Sequence, residues 1–224
     1  MKKLGLGAIL YFIAQFGFAQ TKQNVGTFNS VDVTDKIQVE LIHGKSNEVV
    51  IEGDNSENIQ VVNTNGALRI KMNTLNALQG NNVNVKVYYD ALKSVSAKKG
   101  AKLINRDADQ LVSDQLSVSA AEGGLIVMHV QAKKVDVKAT SGSTISLIGK
   151  SITQDVISNF GGKYEGKHLL TDVSNVTVNG GGKAEVYAKD SIVAKTRAGG
   201  VIDVYGKPAH KSEKKLAGGI INYK

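Results

Sequence analysis

The chain reads as an all-β protein whose C-terminal half winds into a β-solenoid, with an N-terminal antiparallel β meander packed on it or continuing into it. Three observations predict this. A glycine recurs at Gly123, Gly142, Gly161, Gly181, Gly199 and Gly218, in steps of 19, 19, 20, 18 and 19 residues. Short β-like runs flank each of these glycines, and repetition at such a period marks a chain that winds through one supersecondary unit many times. No segment keeps a helical period over more than about ten residues, so almost no helix is expected.

The columns of the repeat give the core. Three places after each glycine stand Ile126, Ile145, Tyr164, Ala184, Ile202 and Ile221. Five places after stand Met128, Leu147, Gly166, Val186, Val204 and Tyr223. Five before, in the first five coils, are Val118, Val137, Val156, Val176 and Ala194; three before are Ala120, Ala139, Ser158, Val178 and Thr196. Within a coil these positions are two apart, so they point to one side of a strand. Between coils they recur, so like side chains stack along an axis. The glycine itself falls where a tight turn needs positive φ.

Taken in order, the chain opens MKKLGLGAILYFIAQFGFAQ. Two lysines, an apolar run from Leu4 to Phe18, and small residues Gly17 and Ala19 predict a secretory signal peptide over 1–19, cleaved before Gln20. The run is shorter than the roughly 20 residues of a membrane span. Residues 20–27 are a polar lead, expected to be flexible. Residues 28–90 form the N-terminal strand portion: Phe28 to Val33, Lys36 to His43, Glu48 to Glu52, Ile59 to Asn63 and Ala67 to Met72. The alternation Ile37, Val39, Leu41 and again Leu68, Ile70, Met72 marks half-buried strands, and Asn65-Gly66 is a two-residue hairpin signal. Asn73 to Asn82 is polar and reads as a loop, after which Val83, Val85 and Val87 alternate once more. The solenoid occupies 91–224. Leu92 to Ala97 is its first strand, Gly100 an early turn glycine, and Leu111 the place where a strand resumes. At the far end, the charged run His210 to Lys215 stands where an open strand edge needs protection.

Apolar residues make up 42% of the chain but aromatics only 5%, with no Trp and one Pro, which suits a thin core of small and β-branched side chains. With no cysteine, there are no disulfides, no thiol chemistry and no lipid anchor on a cysteine. The formal charge is +8, or +6 once Lys2 and Lys3 are removed. A basic exported protein can meet lipopolysaccharide phosphate, acidic polysaccharide or extracellular DNA, although lysine on outward strand positions accounts for the same charge. No nucleic-acid motif accompanies it, so no specific nucleic acid is expected as a partner.

Several stretches, in order, resemble the head GIN domain family, Bacteroidota chains described as auto-transporter adhesins. They are Phe28-Asn29-Ser30-Val31-Asp32-Val33, then Val49-Val50-Ile51-Glu52-Gly53-Asp54, then Val85-Lys86-Val87-Tyr88-Tyr89 with Leu92. Ser141-Gly142-Ser143, Gly180-Gly181-Gly182 and Gly199-Gly200 sit at the family's Gly/Ser turns, and Val204-Tyr205-Gly206-Lys207-Pro208 resembles its late segment. The resemblance covers about Phe28 to the C-terminus. It implies a right-handed, single-stranded parallel β-helix, and it supplies no catalytic residues.

Site chemistry is sparse. His43, His129, His168 and His210 are dispersed, without metal spacing, and no cofactor or metal is expected. No nucleophile elbow is present. The Gly180-Gly181-Gly182 run is followed by a strand, whereas a phosphate cradle needs a helix start. The acids Asp136, Asp155, Glu165, Asp172, Glu185, Asp190 and Asp203 are the candidates for a polysaccharide-cleaving groove. Counting columns, Glu165 and Asp203 share an outward position two coils apart, Asp136 stands level with Asn175, and no acid pair on adjacent coils is expected. Tyr187, Tyr205 and Tyr223 recur every 18 residues; Tyr187 and Tyr205 fall one place outside the inward column and are the candidate ligand contacts.

The expectation is therefore a non-enzymatic exported protein, located in the periplasm, at the outer membrane or outside the cell. Its partner would be a surface glycan or envelope component, with adhesion or scaffolding as the role. The alternative is a β-helix carbohydrate-active enzyme, lyase- or hydrolase-like, acting on acidic polysaccharide.

Overall fold

The computed structural model describes residues 21–53 and 55–224. The leader expected over 1–19 lies outside them. The described residues form strands joined into one 18-stranded hydrogen-bonded sheet, interrupted by four short 3-10 turns. In chain order the strands are β1 (Thr21–Asn24), β2 (Ser30–Val33), β3 (Gln38–His43), β4 (Glu48–Gly53), β5 (Ile59–Thr64), β6 (Ala67–Met72), β7 (Val83–Tyr89), β8 (Ser94–Ala97) and β9 (Lys102–Asn105). They continue as β10 (Leu111–Ala120), β11 (Leu125–Thr140), β12 (Thr144–Asn159), β13 (Lys163–Asn179), β14 (Lys183–Tyr187), β15 (Ser191–Arg197), β16 (Val201–Tyr205), β17 (His210–Leu216) and β18 (Ile220–Tyr223).

The expected solenoid is present. Ile126 lies opposite Ile145, Ile145 opposite Tyr164, Tyr164 opposite Ala184, Ala184 opposite Ile202 and Ile202 opposite Ile221. All pairs are parallel, and the column is fully buried until Ile221, which is 7% exposed at the end of the stack. Each coil has two runs. One follows the glycine turn and buries residues such as Ile126, Met128 and Val130; the other returns to the next turn and buries Val135, Val137 and Ala139. We name these the leading and trailing faces. A corner at 131–134 and its equivalents joins them.

Opposite that corner, the turns themselves stack. Each carries two successive positive φ values: Ser141 and Gly142 at 53° and 69°, Phe160 and Gly161 at 50° and 73°, Ala198 and Gly199 at 52° and 74°. This is the geometry of a type I′ turn, which tolerates glycine best at its second central position. The turns also hydrogen-bond to one another. Gly123 N–H donates to the Ser141 carbonyl and Gly142 N–H to the Phe160 carbonyl, both at 3.2 Å. The recurring glycine thus closes one coil and rungs it to the next.

The N-terminal part differs from the expected meander in one respect. The antiparallel pairs exist: β5 with β6, β4 with β7 and β1 with β4. But β2 is parallel to both β6 and β8, and β3 is parallel to both β7 and β9. The unit β2–β3 is therefore sandwiched between two units made later in the chain. Its residues explain why. Val31, Val33, Val39 and Leu41 are all at most 1% exposed, and Asp35 and Lys36 make a turn with φ of 63° and 64°. The segment is a coil in all but sequence position, and burial on its inward face is satisfied only by stacking. Thr21–Asn24, expected as a flexible lead, forms edge strand β1 with Lys22 Nζ 2.8 Å from Glu48.

Two irregularities interrupt the aliphatic core. Gly166 takes an inward place because the Tyr164 ring already fills it; a Cβ there would lie 2.3 Å from that ring. The buried Tyr164 hydroxyl donates to Gln154 Oε1 at 2.8 Å, and Gln154 Nε2 donates to Thr171 Oγ1 at 3.0 Å and Ser174 Oγ at 2.9 Å. A buried polar group is tolerated only when its partners are in place, and here the partners are other members of the cluster and one backbone carbonyl, that of Tyr187.

Candidate functional site at the corner and the leading face

On the leading face, outward residues repeat in rows along the axis. One row runs Glu165, Glu185, Asp203, with the three carboxylates on successive coils. This corrects the expectation that no acids meet on adjacent coils: Glu185 stands four places after Gly181 and bridges the gap. The trailing face likewise pairs Asp136 directly with Asp155.

These acids are neutralised. Lys163 pairs with Glu165, Lys183 lies 3.2 Å from Glu185 and 3.3 Å from Asp203, and Lys134 bridges Asp136 at 3.1 Å and Asp155 at 2.7 Å. Burial pushes the Asp203 carboxyl up, but the hydrogen bond from Asn222 and the Lys183 ammonium outweigh it and hold the group below the usual carboxylate range. Asp155 is held low in the same way, with burial overcome by Lys134 and Asn175. A glycosidic general acid requires the opposite displacement.

The next row outward carries the rings. His129 lies opposite Ile148 and Ile148 opposite His168; in the two coils beyond, Tyr187 lies opposite Tyr205. The two tyrosines singled out by sequence are thus adjacent rungs, both half-buried, with Lys167 Nζ 5.9 Å from the Tyr205 ring centroid. Tyr223 stands apart from them, at the end of the inward column, where Lys211 Nζ lies 4.1 Å from its ring centroid.

Tyr187 also borders the corner, where a groove of about 470 Å³ is lined by Gln131, Lys150, Ile152, Leu170, Thr171 and Lys189, among others. A second recess of about 480 Å³ continues it past Ile152 to Val112 and Lys133. The groove has a fixed floor: the Tyr187 carbonyl accepts from Gln154 at 3.1 Å and Ser174 at 2.8 Å, and also from Thr171. Column counting found the tyrosines but missed this support. Gln154 and Ser174 stand seven places before Gly161 and Gly181, level with Leu116, Val135 and Ile192, so two polar residues in an aliphatic column were the available signal. Among the described residues no group of three or more His, Cys, Asp or Glu could hold a metal, and no helix is long and apolar enough to cross a membrane. Flat rings, ammonium groups and amide or hydroxyl donors along a groove equip the region to stack on and hydrogen-bond a polar, ring-shaped ligand.

The family model described as "putative auto-transporter adhesin, head GIN domain" matches residues 27–208. No curated protein matches the chain. The fold is shared with a crystal structure of a "putative adhesin" from Bacteroides fragilis, at 19% identity and TM-score 0.85, covering 93% of this chain and 98% of that one. It is also shared with a "putative adhesin" from Parabacteroides merdae, at 16% identity and TM-score 0.73, covering 94% of this chain and 97% of that one.

Proposed function

Because the chain belongs to the head GIN domain family, we propose that it is an exported, non-enzymatic adhesin-like protein that contacts a surface glycan through the Tyr187–Tyr205 row and the corner groove. The observation that carries this is the pairing of two half-buried tyrosines on adjacent coils beside an open groove with lysines at its rim. Coils repeat at about 4.8 Å, so successive rings offer a ligand several equivalent footholds rather than one pocket. Such a surface binds by summed weak contacts, and aromatic side chains give the largest contact area per residue. Export is supported by the lysine-led apolar leader, and the ion-paired carboxylates favour binding over cleavage.

A glycan array read at two salt concentrations tests the proposal. Binding that persists at high salt and falls at least about tenfold in Tyr187→Ala/Tyr205→Ala is expected, a loss near 1.4 kcal/mol. Binding that disappears with salt alone would assign it to bulk charge, and release of cleaved sugar by the purified protein would replace the adhesin reading with an enzyme.

A further inference from the structure

The trailing face carries a second surface, on the side of the core away from the tyrosines. Its outward positions near the C-terminal end form an array fixed by register. One row runs Ile157, Thr177, Lys195, Lys214; the next runs Asn159, Asn179, Arg197, Leu216. At the adjoining turn, the Phe160 ring leans over Gly180, where an added Cβ would lie 3.3 Å from it. Lys195, Arg197 and Lys214 are exposed, and none has an ion pair among the described residues. The neighbouring acid is taken: Glu213 pairs with Lys215 at 3.0 Å. Among these cations stand three large apolar side chains, Phe160 at 72% exposure, Leu216 at 49% and Ile157 at 43%.

Two features of this array are left uncompensated within the chain. Like charges directly opposite on neighbouring strands repel, and Lys195 faces Lys214 in that way. Exposed phenylalanine and leucine contribute no burial to the fold. Both features become favourable against one kind of partner. We propose that this end of the trailing face docks on an anionic lipid surface. Lys195, Arg197 and Lys214 meet headgroup phosphates, while Phe160, Leu216 and Ile157 enter the interfacial layer. A hydrated polyanion would satisfy the cations but leave the three apolar side chains in water; the combination of basic and apolar groups in one plane is what an interface rewards. Strand pleating projects Ile157, Lys195, Arg197, Lys214 and Leu216 to a common side, with Phe160 at the turn that borders them, so the surface is suited to a planar partner. Docked in this way, the protein points its tyrosine row away from the lipid.

Vesicle flotation with the purified protein tests this, using phosphatidylcholine vesicles with and without phosphatidylglycerol. The protein is expected to float with the anionic vesicles and not with the neutral ones. Each cation near such a surface contributes about a fivefold gain in binding, so Lys195→Gln/Arg197→Gln/Lys214→Gln should weaken flotation by roughly a hundredfold at low salt. Phe160→Ser should weaken vesicle binding by about tenfold while leaving retention on soluble dextran sulfate unchanged. Because the triple variant relieves like-charge repulsion, its melting temperature should equal or exceed that of the parent, which separates lost docking from lost folding. Tyr187→Ala/Tyr205→Ala should float normally. Failure of the parent to float, equal flotation of the triple variant, or vesicle binding indifferent to Phe160→Ser would each overturn the proposal, the last in favour of a soluble polyanion.

Discussion

On the leading face, Lys183 sits between Glu185 and Asp203, 3.2 Å and 3.3 Å away. On the trailing face of the same coils, Lys195 faces Lys214 with no carboxylate between them. Both sets of residues occupy the same kind of place: outward positions on stacked parallel strands. A solenoid amplifies whatever a column carries. Opposite signs in alternate rows become a self-neutralising ladder that stabilises the stack, whereas one sign in a single column becomes a patch whose partner must come from outside. The comparison separates residues that hold the rod together from residues available to bind.

Substitutions can break that division or sharpen it. The largest effect should come from Gly149→Val. Gly149 has φ of 128°, and a Cβ there would lie 2.0 Å from the Val130 carbonyl oxygen. No relaxation short of separating two coils can relieve that clash, so a loss of about 3 kcal/mol or more is expected, with both faces losing their binding together. Urea denaturation measures it, and a stable variant with only one face impaired would mean the faces do not share a register.

Gln154→Leu should act more selectively. It leaves the Tyr164 hydroxyl without its acceptor in an apolar interior, at a cost of about 1–3 kcal/mol, while Thr171 and Ser174 keep each other and the Tyr187 carbonyl. It also removes one support beneath the Tyr187 carbonyl. Glycan contact on the leading face should weaken in this variant, while vesicle flotation through the trailing face should not.

The smallest effect is electrostatic. Asp203 has its pKa lowered on folding, so its contribution to stability is present above the ordinary aspartate value, near 4, and fades as pH falls through the lower folded value. Parent and Asp203→Asn should therefore differ in melting temperature by a few degrees at pH 7 and converge once the pH falls below the lowered folded value. A difference that persists at low pH would assign the effect to hydrogen bonding with Asn222 rather than to charge.

How far the sequence led varies along the chain. The glycine spacing and the columns through Ile126, Ile145 and Ile202 predicted the regular coils because each coil touches only its sequence neighbours. The insertion of β2–β3 between later units could not be read that way. Its partners lie 37 and 64 residues away from Val31, at Leu68 and Val95, with no period relating them. In the site, Tyr187 and Tyr205 were visible as a recurrence, and the acid rows stood in the same columns: Glu165, Glu185 and Asp203 each four places after a turn glycine, Asp136 and Asp155 each six before one. The lysines that neutralise them, and the corner groove, were not visible. The groove is built from residues in the gaps between inward columns, and these follow no pattern.

The last winding carries a consequence for assembly. Lys211, Glu213 and Lys215 stand opposite Ile192, Ala194 and Thr196, in places that earlier coils fill with small or aliphatic side chains. Adding another layer there, from a second molecule or from any continuation of the same pattern, would take the Glu213–Lys215 ion pair and the Lys211 ammonium out of water, a desolvation cost that an aliphatic column does not carry. The rod therefore carries its own stop signal at this end, and its exposed strand edge is defended against growth into fibres.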